Sequence, residues 1–206
     1  DKVSAQMGHA VPFATQTPFY ALLEFESANE AVMDQAMALF ELTVERGWVH
    51  DGVISQSLSQ AQALWKLRED ISETLWHWQP YKNDISVLVS RMPAFLREVE
   101  ELVENRYPDF ELVWYGHIGD GNLHLNILKP ETITNDEFIA RCVPVSSEIG
   151  QLLAKYKGSV SAEHGVGLLK KDYLQYSRSP LELALMKQIK AAFDPNTVLN
   201  PGKLFD

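Results

Sequence analysis

The sequence predicts an α+β fold: a ferredoxin-like antiparallel sheet with helices packed on one face, plus a helical C-terminal extension. Three observations lead there. Short β-rich runs alternate with longer segments of helical periodicity. Two of the β-rich runs are joined by Gly119-Asp120-Gly121, and Asp-Gly between such runs marks a tight antiparallel reversal. Beyond the last β-rich stretch, a helical pattern, SPLELALMKQIKAAFDP, leads into an irregular tail.

Residues 1–18 contain Pro and Thr and are expected to be irregular. YALLEFE (20–26) reads as a buried strand. Ser27 and Glu30 form a capping-box pattern before AVMDQAMALFELTVERG, a helix that Gly47 can stop. GVISQS (52–57) reads as a short strand, and LSQAQALWKLREDISETLWHW as a helix with apolar residues at 61, 64, 71, 75 and 78. KNDISVLVS (82–90) is a further strand, and PAFLREVEELVENRY (93–107) a helix with Pro93 suited to its first turn. A hairpin over 111–128 and a helix over about 134–157 come next. KGSVSAEHGVG is a Gly-bounded strand and loop, the final helix stops near Pro195, and NTVLNPGKLFD is the tail. The order is β-α-β-α-β-α-β-β-α with a C-terminal extension.

The chain has 206 residues, 46% of them hydrophobic and 22% charged, which suits an ordinary globular core. A net charge of −10 argues against a nucleic-acid-binding surface, which needs a basic footprint. The single Cys142 excludes an internal disulfide framework and a Cys-rich zinc site. No apolar run approaches the roughly 20 residues of a membrane helix, and no signal-peptide pattern opens the chain. The expected location is the bacterial cytoplasm or a mitochondrion. The first residue is Asp1, so the chain is expected to be processed or to be a piece of a longer one.

The hairpin carries the first chemical signal. A two-residue turn at Asp120-Gly121, or a four-residue loop over 119–122, sets His117 opposite His124. Asn122, His124 and Asn126 then share one face, and Leu123, Leu125 and Ile127 the other. The polar row is either a face turned to water or half of a metal site, since two imidazoles on adjacent strands supply two of the ligands zinc needs. Glu163, in SAEHGVG (161–167), is the candidate third ligand. Adjacent residues of an extended segment point in opposite directions, so Glu163 and His164 are expected to serve different tasks, one as ligand and one as base. Arg68 lies in or beside the apolar stripe of its helix, with Ser72 one turn on. It either snorkels to water or clamps a carboxylate bidentately, with the Ser72 hydroxyl and Lys82 in support. NPGK (200–203) reads as turn chemistry. There is no G-x-G-x-x-G, P-loop, G-x-S-x-G or H-E-x-x-H pattern.

GHIGDGNLHLNI, SAEHGVG and FDPNTVLNPGKLF, in this order, resemble the C-terminal part of FAD-linked oxidases of the D-lactate dehydrogenase, D-2-hydroxyglutarate dehydrogenase and glycolate oxidase group, over about Tyr20 to Phe205. The resemblance implies that residues 1–206 are the substrate-binding (cap) domain of a longer flavoenzyme, with 158–206 returning towards an N-terminal FAD-binding domain. It implies a divalent metal, Zn²⁺ or similar, on His117, His124 and Glu163. It puts substrate contacts on Arg68, Ser72, Lys82 and Asn126. His164 falls between substrate and flavin as the catalytic base, and Asn200 near the flavin. The reaction implied is oxidation of a small D-2-hydroxy acid to the 2-oxo acid by hydride transfer to FAD, with an electron acceptor the sequence does not identify. The chain alone is expected to bind no flavin tightly and to be inactive. A homodimer is compatible with the resemblance. The alternatives are a related flavoenzyme with an aromatic-alcohol or alkyl-transfer substrate, a stand-alone metal-binding or hydrolytic domain, and a non-catalytic interaction module.

Overall fold

The computed structural model describes residues 2–26 and 29–205, so the expected capping box at Ser27 lies outside the described residues. The chain divides into two compact units, residues 1–77 and 78–206.

The first unit is helical among its described residues: α1 (Lys2–Met7), α2 (Glu30–Glu45), α3 (Leu58–Glu69) and α4 (Ile71–Trp76). The start of the chain, expected to be irregular, thus holds a short helix, and α1 packs against α4. Asn29 caps α2 by accepting the Ala31 N–H at 3.1 Å, and Ser57 caps α3 by accepting the Gln60 N–H at 3.3 Å. The helix expected over 58–78 is interrupted at Asp70, whose carboxylate meets the His9 imidazole at 2.5 Å. The runs 20–26 and 52–57, expected to be strands, are irregular. Apolar, β-prone side chains are not enough for a strand; the backbone needs a ladder partner. The described residues of this unit offer none, and Tyr20, Leu23 and Phe25 stay exposed.

The second unit holds β1 (Tyr81–Ser86), α5 (Met92–Arg106), β2 (Glu111–His117), β3 (Asn122–Leu128), α6 (Asn135–Tyr156) and α7 (Pro180–Phe193), with 3₁₀ turns at Val89–Arg91 and Lys171–Tyr176. The strands form an antiparallel sheet in the order β1-β3-β2. The α+β class therefore holds, with the sheet three-stranded among the described residues. The strand expected over 82–90 ends at Ser86, because Leu88 opens the 3₁₀ turn into α5. The Gly-bounded segment after α6 contributes a single bridge, Ser159 to Ser86, and then bends.

One face of the sheet is the core. Ile85, Leu123, Leu125 and Ile127 meet Phe95, Val99 and Val103 of α5 and Phe138, Cys142, Val145, Ile149 and Leu153 of α6. The helices present these residues because their apolar positions recur at three and four. The Cys142 thiol is fully buried there, and burial pushes its pKa up to about 12. At α7, Ser179 accepts the Glu182 N–H at 3.2 Å, and the Glu182 carboxylate accepts the Ser179 N–H at 2.7 Å, a reciprocal capping box.

The hairpin is where expectation and structure part. Observed pairs are His117 with Asn122, Gly116 with Leu123 and Tyr115 with His124, so His117 and His124 are not directly opposed. The loop is Ile118–Gly121, closed by the Asp120 N–H donating to the His117 carbonyl at 3.4 Å. Two contacts select this longer loop. The Asp120 carboxylate accepts the Asn122 N–H at 3.0 Å, a local turn of the Asx type. The Gly121 carbonyl accepts the Val87 N–H at 3.1 Å, just beyond β1. Gly121 needs its glycine twice over, with φ at +77° and the Val87 carbonyl oxygen 2.0 Å from where a Cβ would stand. The register differs from the expected one by two residues, and a shift of two preserves faces where a shift of one would swap them. His117 and His124 therefore still share a face.

Gly116 is the other position a side chain cannot enter: a Cβ there would lie 2.1 Å from the Asn122 carbonyl oxygen. That oxygen is backbone of the paired strand and cannot swing aside. Gly116→Ala is expected to destabilise the protein by about 3 kcal/mol, the upper end of the usual overpacking cost. Urea unfolding checks this through a lower midpoint at unchanged slope.

Candidate active site

The second face of the sheet is polar. Register places Lys82 beside Asn126, Asp84 beside His124 and Ser86 beside Asn122, with Tyr115 and His117 on the far side. Water does not bathe its centre. Asp84, Asn122, His124 and Asn126 are 3%, 4%, 7% and 1% exposed, because β3 is the middle strand and the 159–170 segment lies against it. The reading of a water-facing polar row is therefore excluded for this central strand.

Asp84 organises that segment. Its Oδ2 accepts three successive backbone N–H groups, from Ala162 at 3.2 Å, Glu163 at 3.1 Å and His164 at 2.9 Å. Successive N–H groups converge on one anion only where the backbone curls; in a strand they alternate. The expected extended segment is thus a bend, and Glu163 and His164 do not diverge. Both side chains turn to the same point: Glu163 Oε1 lies 3.4 Å from His164 Nε2 and 3.3 Å from His124 Nε2. The His124 and His164 rings stack with centroids 5.5 Å apart and planes 26° from parallel. Asp84 faces the other end of each ring, with Oδ1 3.6 Å from His124 Nδ1 and Oδ2 3.6 Å from His164 Nδ1.

Electrostatics favours the ionised Asp84. Burial is the largest single influence and opposes ionisation. The His164 N–H, the Lys170 charge, the Glu163 N–H and the His164 charge together outweigh it and hold the pKa below the usual carboxylate value. Lys170 is itself half-buried, and that desolvation lowers its pKa against the opposing pull of Asp84. Its ammonium donates to the Asp84 carbonyl at 2.9 Å and stands 3.7 Å from Oδ2.

The face suits a cation. Asp84, His124, Glu163 and His164 each offer a ligand atom, all within 4.8 Å of one another. Asp84 Oδ1, Asn122 Oδ1 and Asn126 Oδ1 are buried acceptors without a hydrogen-bond partner among the described residues. Buried acceptors are seldom left so, and a cation or a ligand donor in this pocket is the kind of group that satisfies them. The His117 ring stands edge-on to His124 with centroids 6.0 Å apart, outside the 4.8 Å group.

Residues 1–204 match the family described as FAD linked oxidases, C-terminal domain. The chain belongs to that family. Among curated proteins it is 61% identical over 194 residues to D-2-hydroxyglutarate dehydrogenase of Stutzerimonas stutzeri, covering 94% of this chain and 42% of the relative. It is 53% identical over 199 residues to D-2-hydroxyglutarate dehydrogenase of Xanthomonas citri pv. viticola, covering 97% and 42%. The mitochondrial D-2-hydroxyglutarate dehydrogenase of Arabidopsis thaliana is 37% identical over 196 residues, covering 94% and 34%. The chain thus spans less than half the length of these relatives. No helix among the described residues is long and apolar enough to cross a membrane.

For this FAD-linked oxidase domain, the structure brings His124, Glu163 and His164 together and puts Lys82 and Asn126 on the same sheet face as His124. Asn126 donates its amide to the Val113 and His124 carbonyls at 3.4 and 3.3 Å. Arg68 and Ser72 belong to the first unit, in the last turn of α3 and the first turn of α4, each half-buried. Asn200 is exposed at φ +48°, and its carbonyl accepts the Lys203 N–H at 3.2 Å. The tail then returns to the bend, where the Leu204 N–H donates to the Gly167 carbonyl at 3.3 Å. Sequence reasoning missed Asp84 and Lys170. Asp84 had a legible signal: it is the one acid in KNDISVLVS, at the alternate position that shares a face with Lys82.

Proposed function

We propose that this chain is the substrate- and metal-binding half of an FAD-dependent dehydrogenase that oxidises a D-2-hydroxy acid, of the D-2-hydroxyglutarate type, to the 2-oxo acid. The observation that carries the reading is the convergence of the buried Asp84 and His124 of one sheet face with the exposed Glu163 and His164 of the segment against it. The names of the relatives add the substrate class, and the family adds the flavin.

His124 and Glu163 would hold a divalent cation such as Zn²⁺, joined by His117 from the neighbouring strand. Such an ion lowers the pKa of a hydroxyl oxygen it binds. His164, more exposed than His124 and beside Glu163, takes the hydroxyl proton on an imidazole nitrogen. Lys82 and Asn126, adjacent across β1 and β3, bind the substrate's polar groups. Arg68 with Ser72 clamps a substrate carboxylate. FAD, held by an N-terminal domain, would supply the acceptor for the α-hydrogen and its electron pair, and a further acceptor would reoxidise it. Residues 158–206, with Asn200 in their tail, form the surface turned to that domain. Leu169 at 88% and Phe193 at 82% exposure are apolar side chains that such a domain would cover.

The test uses the full-length enzyme without oxygen. Adding D-2-hydroxyglutarate is expected to bleach the flavin absorbance; stripping with a chelator slows the bleaching, and Zn²⁺ restores it. No bleaching with D-2-hydroxyglutarate, D-lactate or glycolate overturns the substrate class. A full rate in enzyme verified to be metal-free overturns the metal. In the same enzyme, Arg68→Ala is expected to lower kcat/KM by about 2–3 kcal/mol, roughly 30–150-fold, mainly through KM. Steady-state kinetics identical to the parent's would make Arg68 a snorkelling residue.

A further inference from the structure

The Asp84 carboxylate divides between two tasks. Oδ2 carries three backbone N–H groups, whereas Oδ1 is buried, has no hydrogen-bond partner among the described residues, and faces His124 Nδ1 at 3.6 Å. At the other end of that ring, Nε2 faces Glu163 Oε1 at 3.3 Å. A neutral imidazole has one N–H and one lone pair, and the partner of one nitrogen decides which nitrogen carries the proton. Lys170 keeps the arrangement in place by donating to the Asp84 carbonyl at 2.9 Å.

We propose that Asp84 is a positioning residue of this site: its Oδ2 curls residues 162–164 so that Glu163 and His164 face His124, and its Oδ1 is the acceptor for the Nδ1–H of His124, leaving Nε2 as the lone-pair donor to a divalent cation. This rests on the metal reading above. Ligating histidines gain orientation and basicity when the second nitrogen donates to a carboxylate. Here one buried carboxylate sets both the tautomer of one ligand and the backbone of the next.

The test is Asp84→Asn in the full-length enzyme, which keeps the shape and inverts the chemistry. An amide oxygen can still accept the backbone N–H groups, but the amide nitrogen then donates towards His124 Nδ1 and favours the wrong tautomer. Titration of the chelator-stripped enzyme with Co²⁺ is followed by its d–d absorption. The expected results are a 10–100-fold weaker Co²⁺ affinity and a lower kcat, with parent flavin content. Parent Co²⁺ affinity, spectrum and kcat, even with a lower Tm, would reduce Asp84 to a structural residue and overturn the proposal. A parent enzyme that binds no Co²⁺ sinks the metal reading instead. A second measurement covers a variant that fails to fold. In the unmutated, stripped enzyme labelled with ¹⁵N-histidine, the His124 resonances, assigned by their loss in His124→Gln, are expected to show the Nδ1–H tautomer. An Nε2–H tautomer overturns the proposal whether or not the metal reading stands.

Discussion

His124→Ala in the full-length enzyme is expected to lose the bound divalent ion and to lower kcat by about three orders of magnitude, while the flavin stays bound. Among the histidines His124 is the one seated on the central strand, 7% exposed, with Asp84 at one nitrogen and Glu163 at the other. No other side chain can reach the same point from β3, since Asn122 and Asn126 flank it along the same face. A metal that stabilises developing charge on a substrate oxygen contributes several kcal/mol, and each 1.4 kcal/mol or so is tenfold in rate. Metal analysis alongside stopped-flow flavin reduction separates the outcomes. A metal-free variant reduced at the parent rate would return His124 to a substrate-binding role. A variant that keeps both metal and rate would place the site elsewhere.

Phe95→Ala is expected to cost about 3–5 kcal/mol of folding stability, a large share of what a domain usually has. Phe95 on α5 is fully buried, lies in the cluster under Leu123, Leu125 and Ile127, and meets the Tyr156 ring edge-on with centroids 5.6 Å apart. Alanine leaves a cavity between α5, α6 and the sheet that rigid strands cannot collapse to fill. Because β3 carries core residues on one face and the site on the other, loosening the core should also loosen the site. The expected observation is a markedly lower urea midpoint together with a weaker metal affinity at temperatures where the variant is still folded. A loss below about 1 kcal/mol would show that α5 repacks freely.

Much of the candidate site was legible because β-strand alternation is local. Leu123, Leu125 and Ile127 against Asn122, His124 and Asn126 announces one apolar and one polar face without knowledge of any partner strand. The helices α5, α6 and α7 were legible for the same reason: periodicity and first-turn signals such as Pro93 are short-range properties. The strands expected at 20–26 and 52–57 failed because a strand exists only with a partner, and pairing is not written in either run.

By itself the sequence determined the α+β class, the two faces of β3 and the family to which three motifs belong. It also placed His124, Glu163 and His164 as candidates for one site. Only the tertiary structure decided the hairpin register, through the Val87 N–H that claims the Gly121 carbonyl from outside the hairpin. Only it turned the expected extended segment around Glu163 and His164 into a bend, because Asp84, some 80 residues earlier, gathers three N–H groups with one oxygen. Both decisions rest on backbone groups that must find partners once buried, and those partners are far away in sequence.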